Sequence, residues 1–348
     1  MQDRSNEKAS SPYPKVMVFT LVTIIGLAYV KWIPYYFKVI FAQSHHSVGG
    51  SILSRVGVGS FASWNAAVGY AITYGQAVWP ALVLGLVLAS GVKVLMPHQW
   101  VNAMLGRLGF GSVAFGSLLA IPCMMCTCCA APVAVGLRQN RASISSTVSW
   151  WMSNPVLNPA TLIFMGFVLG WDWVIFRIVF GLLMVFSVAY LAERYAGQHE
   201  VVRFDQSVML NIESARGGLF VRWVQELMAL TIRLVPEYLV LVLLLGAARA
   251  WFFPVFEAHD GIVWIVLMAL AGTLFVIPTA GEVPIAQAMI VLGMGIGPVG
   301  ALIMTLPAVS LPSIVMLGRV INRRTRLVIV TGVVLSGVVA GFVASLVF

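Results

Sequence analysis

Charge is what this 348-residue chain has least of: 21 Lys and Arg and 12 Asp and Glu make up only 9% of it. Soluble domains carry roughly 25% charged residues. That shortage excludes a soluble enzyme, and also a disordered chain, which needs charge even more. Cysteine is scarce too, at four, too few for a disulfide scaffold. No Gly-x-x-x-x-Gly-Lys-Ser/Thr sequence occurs, so no phosphate-cradling loop for ATP hydrolysis is present. What fills the chain is apolar: 60% of residues are hydrophobic, enough for about ten segments of the roughly 20 residues that cross a bilayer. The net charge of +9 does not call for nucleic acid, because Lys and Arg of membrane proteins gather in cytoplasmic loops. Composition specifies a polytopic membrane protein.

Residues 1–15 are polar and Val16 to Val30 are apolar, but Lys31-Trp32-Ile33-Pro34 offers no small-residue cleavage site. The segment reads as a retained membrane helix followed by an external connection up to Ser63. Beyond it the sequence repeats. Gly116-Ser117-Leu118-Leu119-Ala120-Ile121-Pro122 is echoed by Gly272-Thr273-Leu274-Phe275-Val276-Ile277-Pro278. Pro80 to Pro122 spans 42 residues, as does Pro236 to Pro278; Pro132 to Pro155 spans 23, as does Pro284 to Pro307. Self-similarity of this kind sets the organisation. Residues 1–63 form the N-terminal helix and connection, 64–195 the first transmembrane repeat, 196–217 a polar cytoplasmic linker, and 218–348 the second repeat. Each repeat is expected to hold four elements. In the first these lie around Gln76–Leu95, Phe110–Gly136 (broken), Ile144–Leu169 and Trp173–Arg194. The second has Leu230–Phe253, Val263–Leu292 (broken), Gly300–Leu317 and Leu327–Val347.

Charge placement orients these elements. Arg319, Arg323, Arg324 and Arg326 mark a cytoplasmic loop, and Arg194, Arg203, Arg216 and Arg222 a cytoplasmic linker. Asp172, Glu257 and Asp260 suit the outside, whereas Arg107, Arg138 and Arg141 place both ends of the first broken element inside. These positions agree when each broken element is re-entrant. Lys31, Lys38 and Arg55 then fall outside, against the general bias. The expected fold is all-α and polytopic, with two inverted-topology repeats. Each repeat has three spanning helices and a re-entrant broken hairpin, and the N-terminal helix is added to them. Non-helical backbone at membrane depth is tolerated only inside protein or along a cavity. Matched breaks in two halves therefore point to a transport site.

All four cysteines, Cys123, Cys126, Cys128 and Cys129, fall within seven residues of the first break. A single membrane cysteine is commonly an apolar filler. Four together, beside Met124 and Met125, suit a soft, thiophilic ligand. Cys123-Met124-Met125-Cys126 also has the C-x-x-C spacing of thiol–disulfide oxidoreductases, although no second cysteine pair exists to relay electrons. The second break reads Pro278-Thr279-Ala280-Gly281-Glu282-Val283-Pro284. Glu282, an ionisable residue at membrane depth, is a candidate substrate or coupling-proton group, or it pairs with an Arg such as Arg233. Thr279 adds a hydroxyl. Asn154 and Asn158, in Ser153-Asn154-Pro155-Val156-Leu157-Asn158-Pro159, either line the cavity or satisfy backbone freed by proline.

Cys126-Thr127-Cys128-Cys129-Ala130-Ala131-Pro132, with Gly136-Leu137-Arg138 and the Asn154-Pro155 and Asn158-Pro159 pairs, resembles the predicted-permease family. That family contains the organoarsenical efflux permease ArsP and the YraQ-type permeases. Cys126, Cys128 and Pro132 match its Cys-Ser-Cys-Gly/Ser-x-x-Pro signature and Gly281-Glu282-Val283-Pro284 its Gly-Glu-x-Pro, and the resemblance covers roughly Ala66 to the C-terminus. Cys129 departs from the signature, and Cys123 and the two methionines add sulfur. The resemblance implies a secondary transporter of the bacterial cytoplasmic membrane, not an enzyme. It implies no cofactor, no permanently bound metal and no nucleic-acid partner. Its partners are the lipid bilayer and a small-molecule or ion substrate, and a homo-oligomer is compatible with it. The implied activity is efflux of trivalent (organo)arsenicals, or a related soft metal or metalloid, through a thiol-lined midplane site. The added sulfur keeps a soft metal ion or a reactive sulfur species open as substrates, and a membrane thiol–disulfide oxidoreductase open as another class of protein.

Overall fold

The computed structural model describes residues 13–45, 64–96, 98–106, 109–196, 219–252 and 260–348. Every regular element among them is helical. The expected connection at 46–63, most of the linker, and Arg107, Arg203, Arg216 and Glu257 lie outside the described residues.

The N-terminal helix does not end at Val30. Helix α1 (Tyr13–Leu27) passes through a π-turn at Ala28–Trp32 into α2 (Ile33–His45). The cause is Pro34, which has no N–H and clashes with the preceding turn. The amide of Ile33 therefore reaches back to the Ala28 carbonyl in an i→i+5 bond.

The two halves then carry the same order of elements. A long helix with an internal proline opens each: α3 (Trp64–Leu95, with Pro80), and later α10 (Leu219–Phe252, with Pro236). Both begin earlier than expected. After the short α4 (His98–Leu105) comes the first broken element. It runs α5 (Phe110–Ala120), a 3-10 turn at Ile121–Cys123, then α6 (Thr127–Gln139). The second half has α11 (Ile262–Leu274) and α12 (Glu282–Val291) on either side of its break. Limbs of 10 to 13 residues span only about 15–20 Å, short of the roughly 30 Å hydrocarbon core.

A second break follows in each half, where one helix was expected. The first half divides into α7 (Ile144–Val156) and α8 (Pro159–Val168), the second into α13 (Ile296–Ala308) and α14 (Leu311–Leu317). Proline acts on both sides of these breaks. Pro155 and Pro307 sit in the last turn of one helix, while Pro159 and Pro312 occupy the first turn of the next. A long helix closes each half, α9 (Trp171–Ala196) and α15 (Arg323–Val347). Among the described residues, six helices are long and apolar enough to cross a membrane. The expected Ile144–Leu169 span is not one of them; Ser145, Ser146, Ser149, Ser153, Asn154 and Asn158 make it more polar.

The halves meet element by element. Helix α3 packs on α10, α9 on α15, and α7 on α13, while α6 lies against α14 and α8 against α12. The repeated seven-residue motif has a packing cause. A Cβ on Gly116 would stand 2.7 Å from Ser149 Oγ and 2.9 Å from the Ser146 carbonyl. At Gly272 it would meet the Thr305 hydroxyl. Glycine lets α5 and α11 approach α7 and α13 this closely. The interior buries Trp151, Arg177, Tyr70 and Tyr74, while Leu183, Leu244 and Leu335 are exposed on the outer helices. That apolar rind suits lipid as solvent.

Candidate functional site

The first break starts at Pro122 in the 3-10 turn, passes through Met124 in the left-handed region (φ 50°, ψ 37°) and extends at Cys126 (φ −76°, ψ 167°). Cys126 caps the start of α6, and its side chain makes no cap bond. The second break leaves the helix at Phe275, which is extended (φ −76°, ψ 161°), and turns at Ala280, φ 68°. Gly281 is not the left-handed residue of that turn: its φ is −65°. Its lack of a side chain serves a close approach instead, since a Cβ would come 3.1 Å from the Pro278 carbonyl.

The sulfurs are free thiols, all buried. Cys126 Sγ donates to Cys129 Sγ at 2.9 Å. Cys128 Sγ lies 3.3 Å from the Tyr74 hydroxyl and 3.8 Å from Ser310 Oγ, and Thr127 Oγ1 is 3.0 Å from that same Ser310 Oγ. The thiol segment of one half thus touches the second break of the other. Cys123 stands apart, donating to the Leu119 carbonyl at 3.4 Å. The C-x-x-C pair brought together is therefore Cys126/Cys129, not Cys123/Cys126. Helix geometry explains this, because residues three apart at the start of α6 share a face. Among the described residues, no group of three or more His, Cys, Asp or Glu is arranged to hold a metal ion.

Both asparagines work on backbone. Asn154 Oδ1 accepts from the Met125 amide at 3.4 Å, and its Nδ2 donates to the Trp150 carbonyl at 3.0 Å. It therefore braces the cysteine loop. Asn158 caps α8, accepting from Ala160 N at 3.0 Å and Thr161 N at 3.3 Å. Its buried Nδ2 has no partner. Trp151 Nε1 donates to the Thr127 carbonyl at 3.0 Å, and Tyr70 donates to the Val276 carbonyl at 2.5 Å. Each break is thus held by side chains from other helices.

Glu282 opens α12, and its partner is Arg177, Nη2 to Oε1 at 2.8 Å, with both side chains buried. Arg233 does not take that role. Its carbonyl instead accepts from Arg319, which also pairs with Glu237 at 2.8 Å. Arg177 further clamps the carbonyls of Val156 (3.0 Å) and Pro155 (2.9 Å). Sequence reasoning missed Arg177, although an Arg in the apolar middle of the 26-residue α9, well before Arg194 in its last turn, is itself a signal.

The N-terminal helix was also missed as part of the site. Its π-turn presents Trp32 Nε1 to the Pro122 carbonyl (2.8 Å) in one break, and Lys31 Nζ to Thr279 Oγ1 (3.3 Å) in the other. Tyr35, one turn on, directs its hydroxyl at the Thr279 carbonyl, 3.5 Å away. Lys31 is buried, and its neighbour Trp32 holds the start of the break that carries the thiols. Of the expected site residues, the cysteines, Thr279 and Glu282 are thus linked through a few side chains. The asparagines support the same loops.

Residues 63–346 match the family model described as a predicted permease. The UPF0718 protein YraQ of Escherichia coli is 45% identical over 350 residues, covering 99% of this chain and 100% of that protein. The UPF0718 protein MJ0584 of Methanocaldococcus jannaschii is 21% identical over 337 residues, covering 77% of this chain and 91% of its own. No solved structure matches the chain. A buried, twice-broken helical centre inside a multi-pass apolar shell is suited to carrying a solute, and the chain belongs to the predicted-permease family.

Proposed function

We propose that the chain is a secondary transporter whose two halves are inverted repeats, each contributing one re-entrant loop to a shared midplane site. The solute is thiophilic, with trivalent (organo)arsenicals as the first class to test and a soft metal ion or reactive sulfur species next. One observation carries the reading: Cys128 and Thr127 of the first half meet Ser310 of the second at a fully buried contact. A ligand held there would touch both halves, as alternating access requires. Cys126, Cys128 and Cys129 supply exchangeable thiol contacts, with Cys123 at the margin. Thr279 and Glu282 bound the other side, Glu282 as the candidate coupling group. Asn154 and Asn158 hold the loop backbones.

Everted vesicles containing the chain test this. Uptake of trivalent arsenicals, soft metal ions and sulfur oxyanions is compared between wild type and a Cys126→Ser/Cys128→Ser variant. Selective loss of one class supports the site; equal flux of every solute in both vesicle types removes it. The 2.9 Å approach of Cys126 to Cys129 favours one alternative, a membrane thiol–disulfide oxidoreductase. That reading requires mixed disulfides with a partner when Cys129 is changed to Ser, whereas a permease forms none.

A further inference from the structure

The buried centre holds more positive than negative charge. Lys31 and Arg177 are both buried, whereas the buried carboxylate of Glu282 is engaged by Arg177. Among the described residues, no carboxylate lies within 4.0 Å of Lys31, whose Nζ has Thr279 Oγ1 as its hydrogen-bond acceptor. A second lysine continues the feature outward: Lys38, exposed, and Lys31 stand 5.2 and 5.5 Å from the centroid of the same Tyr35 ring. An ammonium group at membrane depth with no counter-charge is costly. The start of α6, a 13-residue helix whose N-cap side chain makes no cap bond, adds the positive end of a helix dipole beside the thiols. Two donor atoms of the neighbouring break, Arg177 Nη1 and Asn158 Nδ2, are buried without partners.

We infer that the substrate of the thiol site is an anion, with Lys31 as its counter-charge. This rests on the thiol-site reading above and narrows it. The class that satisfies both ends is a small oxyanion bearing a soft terminal atom. Its charged oxygens face Lys31 and Thr279, and its soft sulfur or selenium faces Cys126 and Cys129. No bond to the protein is formed or broken. Lys38 lies on the approach, where a positive residue concentrates anions. The competing counter-charge is a thiolate of the cluster, in which case the centre is already neutral and admits an uncharged electrophile.

Thermal stabilisation of the full-length chain in detergent separates these outcomes, with thiosulfate as probe. Sulfate serves as a hard anion of equal charge, and arsenous acid as an uncharged thiophile. Thiosulfate is expected to bind more tightly than sulfate. Lys31→Met should raise its apparent Kd about tenfold or more, the scale of one charge-assisted hydrogen bond. Lys31→Arg keeps the charge, remains close to wild type, and reports that the helix still packs. Arsenous acid, which carries no charge for Lys31 to pair, should lose far less affinity than thiosulfate in Lys31→Met. Failure of thiosulfate to stabilise wild type, or undiminished binding to Lys31→Met, overturns the inference. A Cys126→Ser/Cys128→Ser variant tests the underlying reading separately. If it binds thiosulfate like wild type and Lys31 still matters, the anion site stands and the thiol contact falls. If arsenous acid alone binds, and only with the cysteines present, the thiol site stands and the anion falls.

Discussion

Arg177 in the last spanning helix of the first half reaches Glu282 in the broken loop of the second, Nη2 to Oε1 at 2.8 Å, and the same guanidinium group holds the carbonyls of Pro155 and Val156. One side chain thus ties together two breaks that come from different halves. The arrangement gives Glu282 two possible duties, as anchor and as coupling group, and substitution separates them.

Removing one member of a buried pair leaves the other charged and unpaired, which costs about 3–5 kcal/mol. Arg177→Met and Glu282→Gln should each lower the melting temperature of the purified protein markedly. The double variant should recover part of the loss, since no orphan charge remains. In vesicles, an anchoring Glu282 predicts that Glu282→Gln lowers flux at every pH in proportion. A coupling Glu282 predicts that flux in this variant loses its pH dependence.

Helix α3 runs along α6 at backbone distance. A Cβ on Gly85 would strike the Cys129 carbonyl, and one on Gly136 would stand 2.9 Å from the Ala89 carbonyl. Because both obstacles are backbone, neither rotates away. Gly85→Ala should destabilise by about 1–3 kcal/mol and quicken alkylation of the cluster by a small maleimide. Gly75→Ala, in the same helix with nothing within 4 Å, is the control. It should be neutral or stabilising by up to about 1 kcal/mol, with unchanged alkylation.

The thiols differ in neighbours, so oxidation should be selective. With Cys126 and Cys129 sulfurs 2.9 Å apart and Cys123 turned to Leu119, a mild oxidant such as diamide should link Cys126 to Cys129 first. Peptide mapping by mass spectrometry reads the outcome. Predominance of a Cys123–Cys126 link would contradict the geometry.

The parts of this site legible in the sequence were those written in local spacing. Proline intervals and the echo of Gly116–Pro122 at Gly272–Pro278 marked the two halves and their breaks, because a proline acts on its own turn. The cysteines announced themselves by crowding. What stayed hidden was pairing over distance. Arg177 and Glu282 are 105 residues apart, and Lys31 and Thr279 are 248 apart, so nothing local links them. The apolar run that ends at Val30 puts Lys31 at the start of the external connection in the sequence. In fact the π-turn absorbs the proline and the helix continues. The second breaks are hidden in the sequence by the apolar residues on both sides, which make Ile144–Leu169 and Gly300–Leu317 each read as one helix.

The last test concerns Asn158, which the sequence left open between ligand and backbone support. Its Oδ1 accepts from two amides at the start of α8, whereas its Nδ2 is buried without a partner. Asn158→Ala removes both functions and should cost about 1–2 kcal/mol, as loss of a helix cap does. Asn158→Asp keeps the accepting oxygen and removes the donor. If Asn158 serves only as a cap, any flux lost by the Asp variant should follow its change in melting temperature and be equal for every solute, since burying a carboxylate has its own cost. If the free Nδ2 meets the solute, the Asp variant should lose more flux than its stability accounts for. The loss should be greatest for an anion, because a carboxylate in that place repels it. Melting curves and vesicle uptake on the two variants therefore assign the two ends of one side chain separately.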